Sequence, residues 1–144
     1  MNDRQHSWRD DFPIMEEVED FRGRSRLFEI TCHERPQGFA LRAVESGTAD
    51  DGYAFAAYSE TSPYNGLYRL RQKIARGLAT RHLSGGPGDY QLTHGTLSGR
   101  ITCEGIDRPV LIVDGIPLTL EEFARILASH EGWDFRLNVI DSLE

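Results

Sequence analysis

The sequence predicts an α+β fold in two layers, with a mostly antiparallel sheet of about six strands and two helices packed on one face. Short segments before and after the middle of the chain alternate apolar and polar side chains, as half-buried strands do. Two longer segments, about 63–83 and about 119–131, repeat apolar residues at helical spacing. Amphipathic helices must bury one stripe and half-buried strands one face, so a single sheet that carries both helices satisfies every element.

Length and composition set the outer limits. A chain of 144 residues that is 39% hydrophobic fits one ordinary domain, and a second core is not expected. No stretch has the roughly 20 apolar residues of a membrane span, and the first 25 residues lack the apolar run of a signal peptide. Two cysteines are too few for a disulfide framework. We therefore expect reduced thiols, no membrane association and a cytoplasmic protein.

Residues 1–25 are predicted to be a flexible acidic arm, and residues 26–144 a single α+β domain. Within the arm, "DDFPIMEEVEDF" has the signals of a short helix: Asp11 as cap, Pro13 in the first turn, and Ile14, Val18 and Phe21 on one side. Such a helix is too short to be stable alone, so it needs a surface to dock on.

Three antiparallel strands follow the arm. The segments "RLFEITCHE", "GFALRAVES" and "GYAFAAYSE" all have period-two alternation, and the turn-rich segments "RPQG" and "SGTADDG" separate them. This order predicts a meander.

The first helix lies within "LYRLRQKIARGLATRHLSGGPGD". At about 100° per residue its apolar and basic residues fall on different sides. The apolar stripe holds Leu67, Leu70, Ile74 and Leu78. The basic stripe holds Arg69, Lys73 and Arg76. Ser62 or Thr61 can cap the helix ahead of Pro63, and "GGPG" ends it.

The C-terminal half returns to strands around one further helix. "TLSGRITCE" and "PVLIV" are predicted strands, the second apolar on both faces, and "DG" at 114–115 is a turn signal. In "LTLEEFARILASHEGW", Thr119 and Glu122 form a capping box, and Gly132 can take the left-handed terminal conformation. "WDFRLNVID" alternates apolar and polar residues and is predicted to be a final half-buried strand.

The segment "GRITCEGIDRPVLIVDGIPLTLEEFARILASHEGWDFRLNVID", together with "GYAFAAYSE" and the first helix, resembles a bacterial domain family of unknown function. The resemblance rests on a Gly-Arg-Ile strand, a "P-x-L-x-x-D-G" turn, an "E-E-F" helix and an "E-G-W-x-F-x-L" strand, and it spans roughly residues 27–141. It implies a shared fold and a bacterial origin. The family has no established activity, cofactor or catalytic residue, so the resemblance assigns no site.

Most residues that could form a metal site or an acid–base pair have a structural explanation. His130 lies too far along its helix from Glu121 and Glu122 for shared ligation, and the capping box accounts for Glu122. A zinc site built from Cys32, His33, His94 and Cys103 conflicts with strand geometry, because neighbouring strand residues point to opposite faces. Buried, inert cysteines are expected instead. We predict no metal and no cofactor.

Two further signals also have structural explanations. "SGGPGD" is glycine-rich, but it follows a helix, whereas phosphate-binding loops precede one, so it is interpreted as a helix stop. Asp114 could be an acid at a strand end, but a turn before glycine favours aspartate without any catalytic role.

The charge distribution is the least ordinary feature. The net charge is −7, yet residues 61–88 hold five basic residues and no acid, while the segments before and after each sum to −6. A basic run is usually a solvated helix face. A solvated face normally mixes signs, however, and like charges at i,i+4 destabilise a helix by a few tenths of a kcal/mol per pair. Arg69, Lys73 and Arg76 are therefore the predicted binding residues.

Three partners would neutralise this stripe. The first is the acidic arm, in cis or from a second copy, since Asp10 to Asp20 hold six acids and no base. The second is another acidic protein. The third is nucleic acid or a phosphorylated ligand, which the net charge and the lack of an aromatic stacking platform disfavour.

The sequence therefore favours a small non-enzymatic binding domain whose basic helix face holds an acidic segment. The alternative is an enzyme or ligand-binding domain in which Arg69, Lys73, Arg76 or His82 hold an anionic small molecule or nucleotide. Weak nucleic-acid binding is a third hypothesis, and it predicts an affinity that falls steeply with salt.

Overall fold

The structure is a computed structural model that describes residues 6–48 and 51–144. In these ranges it contains two α-helices, one short 3₁₀ helix (Trp8–Asp11) and nine strands. The strands form antiparallel sheets of four, two and three strands. The predicted α+β class is confirmed. The predicted single sheet of about six strands is wrong, because the strands are divided among three sheets.

The first sheet is a meander with the strand order β1-β2-β3-β4. Its strands are β1 (Ile14–Glu19), β2 (Ser25–Arg35), β3 (Gly38–Glu45) and β4 (Ala54–Ser59). Strands β2, β3 and β4 are the three that the alternation predicts. All neighbouring strands pair antiparallel. Because β1 and β4 are the first and last strands in this order, each pairs with one strand only, and they are the two edges of the sheet.

Strand β1 occupies the segment for which the sequence predicted a helix. Ile14 pairs with Ile30 and Glu19 with Ser25, so this part of the predicted arm is tied to the sheet. The error has a simple cause: Ile14 and Val18 are four residues apart, a spacing that puts side chains on the same side of a helix and also of a strand. Residues 1–5 lie outside the described ranges.

Helix α1 (Pro63–Ala79) packs its apolar stripe on the first sheet. Ser62 caps the helix by accepting a hydrogen bond from the Asn65 backbone N–H at 3.0 Å. The predicted apolar stripe is confirmed, since its residues are buried in one cluster with the sheet. The members from both layers include Leu67, Leu70, Ile74 and Leu78 from α1 and Phe28, Ile30 and Leu41 from the sheet.

The remaining elements build a second, separate hydrophobic cluster. They are β5 (Leu83–Ser84), β6 (Gln91–Leu92), β7 (Arg100–Cys103), β8 (Pro109–Val113), β9 (Ile116–Leu118) and α2 (Leu120–Ala128). Their core contains Leu83, Val113, Leu118 and Ile126. The sequence did not lead us to expect a second core, and the predicted placement of both helices on one sheet face is wrong. The assignment of residues 26–144 to one domain stays a prediction, since domains are defined by independent folding as well as by packing.

The two clusters meet at Gly52 and Tyr53, just before β4. The Arg100 guanidinium donates to the Gly52 carbonyl at 2.6 Å. Gly115, at φ +73°, lies against the Tyr53 ring, where an added Cβ would be 2.7 Å from the nearest ring carbon. Burial, and secondarily the Asp114 carboxylate, raises the pKa of Tyr53 well above its ordinary value. The β8–β9 turn is thus packed on the first sheet through one aromatic ring.

The chain after α2 has no regular structure. The capping box of Thr119 and Glu122 and the left-handed Gly132 are as expected. The predicted strand over "WDFRLNVID" is not present, since these residues pair with no strand in the described part of the chain. Their alternation still matches a strand, but they lie exposed.

Candidate functional site

Helix α1 carries the three predicted binding residues on one side. Arg69, Lys73 and Arg76 follow one another at helical spacing, and their charges are close enough for both arginines to affect the pKa of Lys73. Arg69 and Arg76 are exposed, whereas Lys73 is partly buried. We call these three residues the basic face. The structure brings them together as the sequence predicted.

The basic face reaches the edge of the first sheet. Lys73 Nζ donates to the Ala56 carbonyl at 2.8 Å, and Arg69 Nη1 donates to the Tyr58 carbonyl at 3.3 Å. Both carbonyls belong to β4, an edge strand. Long cationic side chains commonly protect such edges, because unpaired backbone groups invite pairing with another strand. Two of the three basic residues therefore also have a structural role.

Lys73 also holds the C-terminal segment of the chain. Its ammonium group donates to the Ser142 carbonyl at 3.1 Å and to the Glu144 carbonyl. An ammonium group has three donors, so Lys73 joins one edge carbonyl of β4 to two carbonyls of residues 141–144. This segment is acidic, with Asp141 and Glu144 close enough to act on the Lys73 charge. The basic face is thus in contact with an acidic segment of its own chain.

The charge around Lys73 is not fully balanced. Burial lowers the pKa of Lys73 below its ordinary value, and Arg76 and Arg69 lower it further. Asp141 and Glu144 act in the opposite direction but do not cancel the shift. The Arg76 side chain has no hydrogen bond or ion pair with any described residue, while the Arg76 carbonyl accepts a hydrogen bond from the Thr80 hydroxyl at 2.9 Å. An additional anionic group near Lys73 and Arg76 would therefore lower the electrostatic energy of the site.

The N-terminal residues contact a different part of α1. Arg71 forms a two-pronged ion pair with Glu16, in which Nη2 and Nε lie 2.8 and 3.1 Å from Oε1. Tyr64 donates to Asp11 at 2.6 Å. The described hydrogen bonds of Arg69 and Lys73 go to β4 and to residues 142–144, and none goes to residues 6–25. Contact between the arm and the basic face stays a prediction.

His82, named in the alternative hypothesis, is paired with Asp114. The Asp114 carboxylate is buried, accepts the backbone N–H groups of His82 at 2.9 Å and Leu83 at 2.8 Å, and lies 3.0 Å from His82 Nδ1. These contacts tie the segment after α1 to the β8–β9 turn. Asp114 has φ +55°, a conformation that aspartate in turns tolerates. The arrangement has a structural explanation, as the sequence predicted for Asp114.

Two cavities lie away from the basic face. The larger, about 530 Å³, is an open groove beside Trp8, Phe12 and Cys32, and the smaller, about 110 Å³, lies between Tyr90 and α2. Burial raises the pKa of the Cys32 thiol, which makes this cysteine a poor nucleophile. Cys103 is exposed, contrary to the expectation that both thiols are buried. Neither cavity is lined by the residues of the alternative hypothesis, which stays a prediction.

The sequence analysis did not identify residues 141–144 as part of the site. The predicted final strand ends at Asp141, no element is predicted for residues 142–144, and the acidic partner is predicted to be the N-terminal arm. The signal that could have identified them is the charge of −6 over residues 89–144, which is as large as that of residues 1–60. The backbone carbonyls that Lys73 contacts have no sequence signal.

Comparison with known proteins gives two family matches. Residues 10–79 match the family described as Domain of unknown function (DUF7686), and residues 82–144 match Domain of unknown function (DUF7713). No curated protein and no solved structure matches the chain. The matches divide between residues 79 and 82, where α1 ends and the second hydrophobic cluster begins. The chain is therefore similar to domain families of unknown function, as its sequence patterns indicated, but the similarity is divided between two families, whereas the sequence indicated one over roughly residues 27–141. These families bring no established activity.

Proposed function

We propose that this protein is a non-enzymatic binding domain whose basic face, beside the β4 edge, holds an acidic segment. The observation that carries the proposal is the double role of Lys73, which bonds at once to the Ala56 carbonyl and to the Ser142 and Glu144 carbonyls. Residues 141–144 then occupy the site in cis, and an acidic segment of a partner protein uses the same contacts in trans.

The lowered pKa of Lys73 supports a further anionic contact. Burial, and after it the neighbouring arginines, disfavour the ammonium charge more than Asp141 and Glu144 favour it. A partner with carboxylates near Lys73 and Arg76 would correct this imbalance. Contacts of this kind at an exposed surface contribute about 0–1 kcal/mol each, so the binding is weak, reversible and sensitive to salt.

The site offers a donor to main-chain atoms of the ligand. Residues 141–144 form a turn, closed by the bond from the Glu144 N–H to the Asp141 carbonyl at 3.1 Å, and Lys73 donates to the main-chain oxygens of Ser142 and Glu144 in this turn. Lys73 therefore recognises a turn of the chain more than one particular side chain, and its bond to the Ala56 carbonyl ties that turn to the β4 edge. Acidic side chains on the ligand then meet the arginines.

A bacterial origin and a cytoplasmic location, both expected from the sequence, belong to this proposal.

A peptide titration tests the proposal. The full chain is titrated against a fluorescein-labelled peptide with the sequence of residues 138–144, and binding is measured by fluorescence anisotropy between about 50 and 300 mM NaCl. Lys73→Met should weaken binding about fivefold, which corresponds to ~1 kcal/mol. Arg71→Met is the matched control, because Arg71 lies on the same helix but pairs with Glu16.

The cis contact gives a second readout. Replacing both acids, Asp141→Asn with Glu144→Gln, weakens the competing segment of the chain itself, so the labelled peptide should bind this variant more tightly than the wild type. Equal affinity of the wild type, the Lys73 variant and the Arg71 variant would contradict the proposal. Loss of affinity in the Arg71 variant alone would place the binding surface elsewhere on α1.

A further inference from the structure

Strand β2 continues beyond the end of its neighbour β1. The last pair between the two strands joins Ile14 to Ile30, whereas β2 keeps pairing with β3 as far as Arg35 and Gly38. Residues 31–35 therefore have a partner strand on one side and none on the other. An unpaired strand edge of this kind is a template on which another strand can pair.

The register shows which backbone groups point to this free edge. The Ser46 N–H donates to the Leu27 carbonyl at 2.8 Å, so Leu27 of β2 bonds toward the β3 side. Bonding alternates along an antiparallel pair, so every second residue after Leu27 also bonds to that side, and the residues between them bond to the other side. Cys32 and Glu34 belong to the second group. Their N–H and carbonyl groups have no backbone partner in the described part of the chain.

The chain before β1 turns away from this edge. If β1 continued in the same register, Phe12 would lie opposite Cys32. The Phe12 N–H instead donates to the Arg9 carbonyl at 3.4 Å, and the Trp8 ring packs edge-on against Phe39 with the centroids 5.6 Å apart. The position of the missing strand is left as a groove.

This groove is apolar on the side that faces α1. Its volume of about 530 Å³ lies in the usual range of binding sites, about 300–1,000 Å³. Trp8 and Phe12, whose ring centroids are 6.2 Å apart, form what we call the aromatic wall. Arg9 joins the wall to β2, since its Nη2 lies 2.7 Å from Glu34 Oε1. The groove is thus formed before any ligand binds, which lowers the entropy cost of binding.

The opposite face of β2 is basic beside the groove. His33 and Arg35 lie on that face, and so does Arg42 of β3. All three are exposed, and none of their side chains has a hydrogen bond or ion pair with a described residue. The acid on this face of β2, Glu29, lies beside β1 and outside the groove. A ligand with acidic residues on this face would complement the two arginines.

We propose that the groove binds an extended segment of a partner protein, which adds a short strand to the free edge of β2, antiparallel like every other pair in the sheet. The N–H and carbonyl groups of Cys32 and Glu34 bond to the ligand backbone. Directly opposite residues share a face, so the ligand residues that make these bonds direct apolar side chains toward the aromatic wall. The residues between them are acidic and lie beside the arginines. Residues 31–34 span roughly 13 Å, which accommodates about four ligand residues.

Amide hydrogen exchange of the full chain, measured by ¹H–¹⁵N NMR, tests this site directly. In the free chain the Cys32 and Glu34 amides should exchange faster than those of Thr31 and His33, which bond to β3. A saturating peptide of about six residues, in which phenylalanine and valine alternate with N-methyl-glutamate, should slow exchange at Cys32 and Glu34 by about tenfold or more. Equal protection of all four amides in the free chain would overturn the open edge. Unchanged exchange with the peptide would overturn the binding site.

The position of the methyl groups tests the bonding pattern. In the proposed pairing the glutamate N–H groups point to solvent, so their methylation leaves binding intact and also prevents the peptide from stacking on itself. The isomeric peptide with N-methyl groups on phenylalanine and valine lacks the donors that face β2 and should not bind. Equal binding of the two peptides would overturn strand addition. This comparison uses the unaltered protein, so it does not depend on the folding of a variant.

Matched variants locate the peptide and separate this site from the basic face. Trp8→Ala should weaken peptide binding about tenfold, whereas Trp133→Ala, at a tryptophan that is 75% exposed outside the groove, should not. Arg35→Gln should weaken binding about threefold and reduce its dependence on salt. Lys73→Met should leave the affinity unchanged. Loss of binding in the Lys73 variant with full binding in the Trp8 variant would overturn the inference and would place the peptide on the basic face.

Discussion

Arg26 joins two buried carboxylates in the first sheet, and its replacement is the sharpest test of the core. Its Nε lies 3.1 Å from Asp20 Oδ2 and its Nη1 lies 3.0 Å from Glu45 Oε2. The side chains of Arg26, Asp20 and Glu45 are 16%, 0% and 8% exposed. We predict that Arg26→Met, which keeps the aliphatic stem and removes the cation, destabilises the protein strongly.

The magnitude follows from what remains after the substitution. Asp20 still accepts the Arg22 and Arg24 backbone N–H groups, and Glu45 still accepts the Tyr53 N–H at 3.1 Å. Both carboxylates, however, lose their buried counter-ion. Removing one partner of a buried ion pair costs about 3–5 kcal/mol. This is a large part of the 5–15 kcal/mol by which a domain of this size is typically stable.

Urea unfolding followed by circular dichroism measures the effect. With a slope of about 2 kcal/mol/M, a loss of ~4 kcal/mol lowers the midpoint by about 2 M. Arg24→Met is the control, because Arg24 is exposed and contacts Asp20 only through its backbone N–H and carbonyl; it should change stability by less than about 0.5 kcal/mol. A loss below ~1 kcal/mol for Arg26→Met would refute the reasoning, since the carboxylates could not then be buried as described.

Three further changes test other parts of the structure. Burial alone would raise the pKa of Asp20, but two backbone N–H groups and the Arg26 guanidinium hold this pKa below the ordinary 3.8. The stability that Asp20 contributes is therefore complete above about pH 5 and is lost as the pH falls below 3.8. Asp20→Asn should therefore flatten the fall in urea midpoint between about pH 5 and 3, and an unchanged slope would contradict this assignment. Gly115→Ala forces a Cβ against the Tyr53 ring at positive φ and should cost about 2 kcal/mol or more in the same unfolding assay, while a neutral result would mean that the two clusters do not meet there. Thr119→Ala removes the cap of α2 and should cost about 1 kcal/mol, measured by thermal unfolding, whereas Thr119→Ser should cost much less.

The two helices could be predicted well because their signals are local. Ser62 and Pro63 begin α1, and the capping box of Thr119 and Glu122 begins α2, all within one turn of the element they define. The apolar stripes could be predicted for the same reason, since helical periodicity depends only on sequence spacing. The predicted ends at Leu83 and Glu131 were too late, because helix termination depends on what the chain contacts next.

The arrangement of the strands could not be predicted in the same way. Strands β5 and β6 have two residues each, too few for any period, and the division into three sheets depends on contacts between distant segments. Alternation shows which side chains lie on one face of a strand, but not whether a partner strand is present. The segment after Trp133 demonstrates this, since it has the period of a strand and no strand beside it.

Of the candidate site, the basic face could be predicted from the sequence, but the acidic segment that it contacts could not. Arg69, Lys73 and Arg76 share a face because helical geometry puts them there, and their like charges indicated a missing anion. The sequence offered two acidic segments of equal charge, and charge alone does not decide which of them lies at the basic face. In the structure the Lys73 ammonium group, which bonds to Ala56 of β4, also bonds to Ser142 and Glu144. The C-terminal acidic segment is therefore the one that lies at the basic face.

The contact between Lys73 and residues 141–144 can be measured directly by two-dimensional ¹H–¹⁵N NMR of the full chain. If the basic face holds this acidic segment, Lys73→Met will shift the backbone amide signals of residues 141–144, while Arg71→Met will shift signals around Glu16 and leave residues 141–144 unchanged. Signals of residues 141–144 that stay in place in the Lys73 variant would contradict the account.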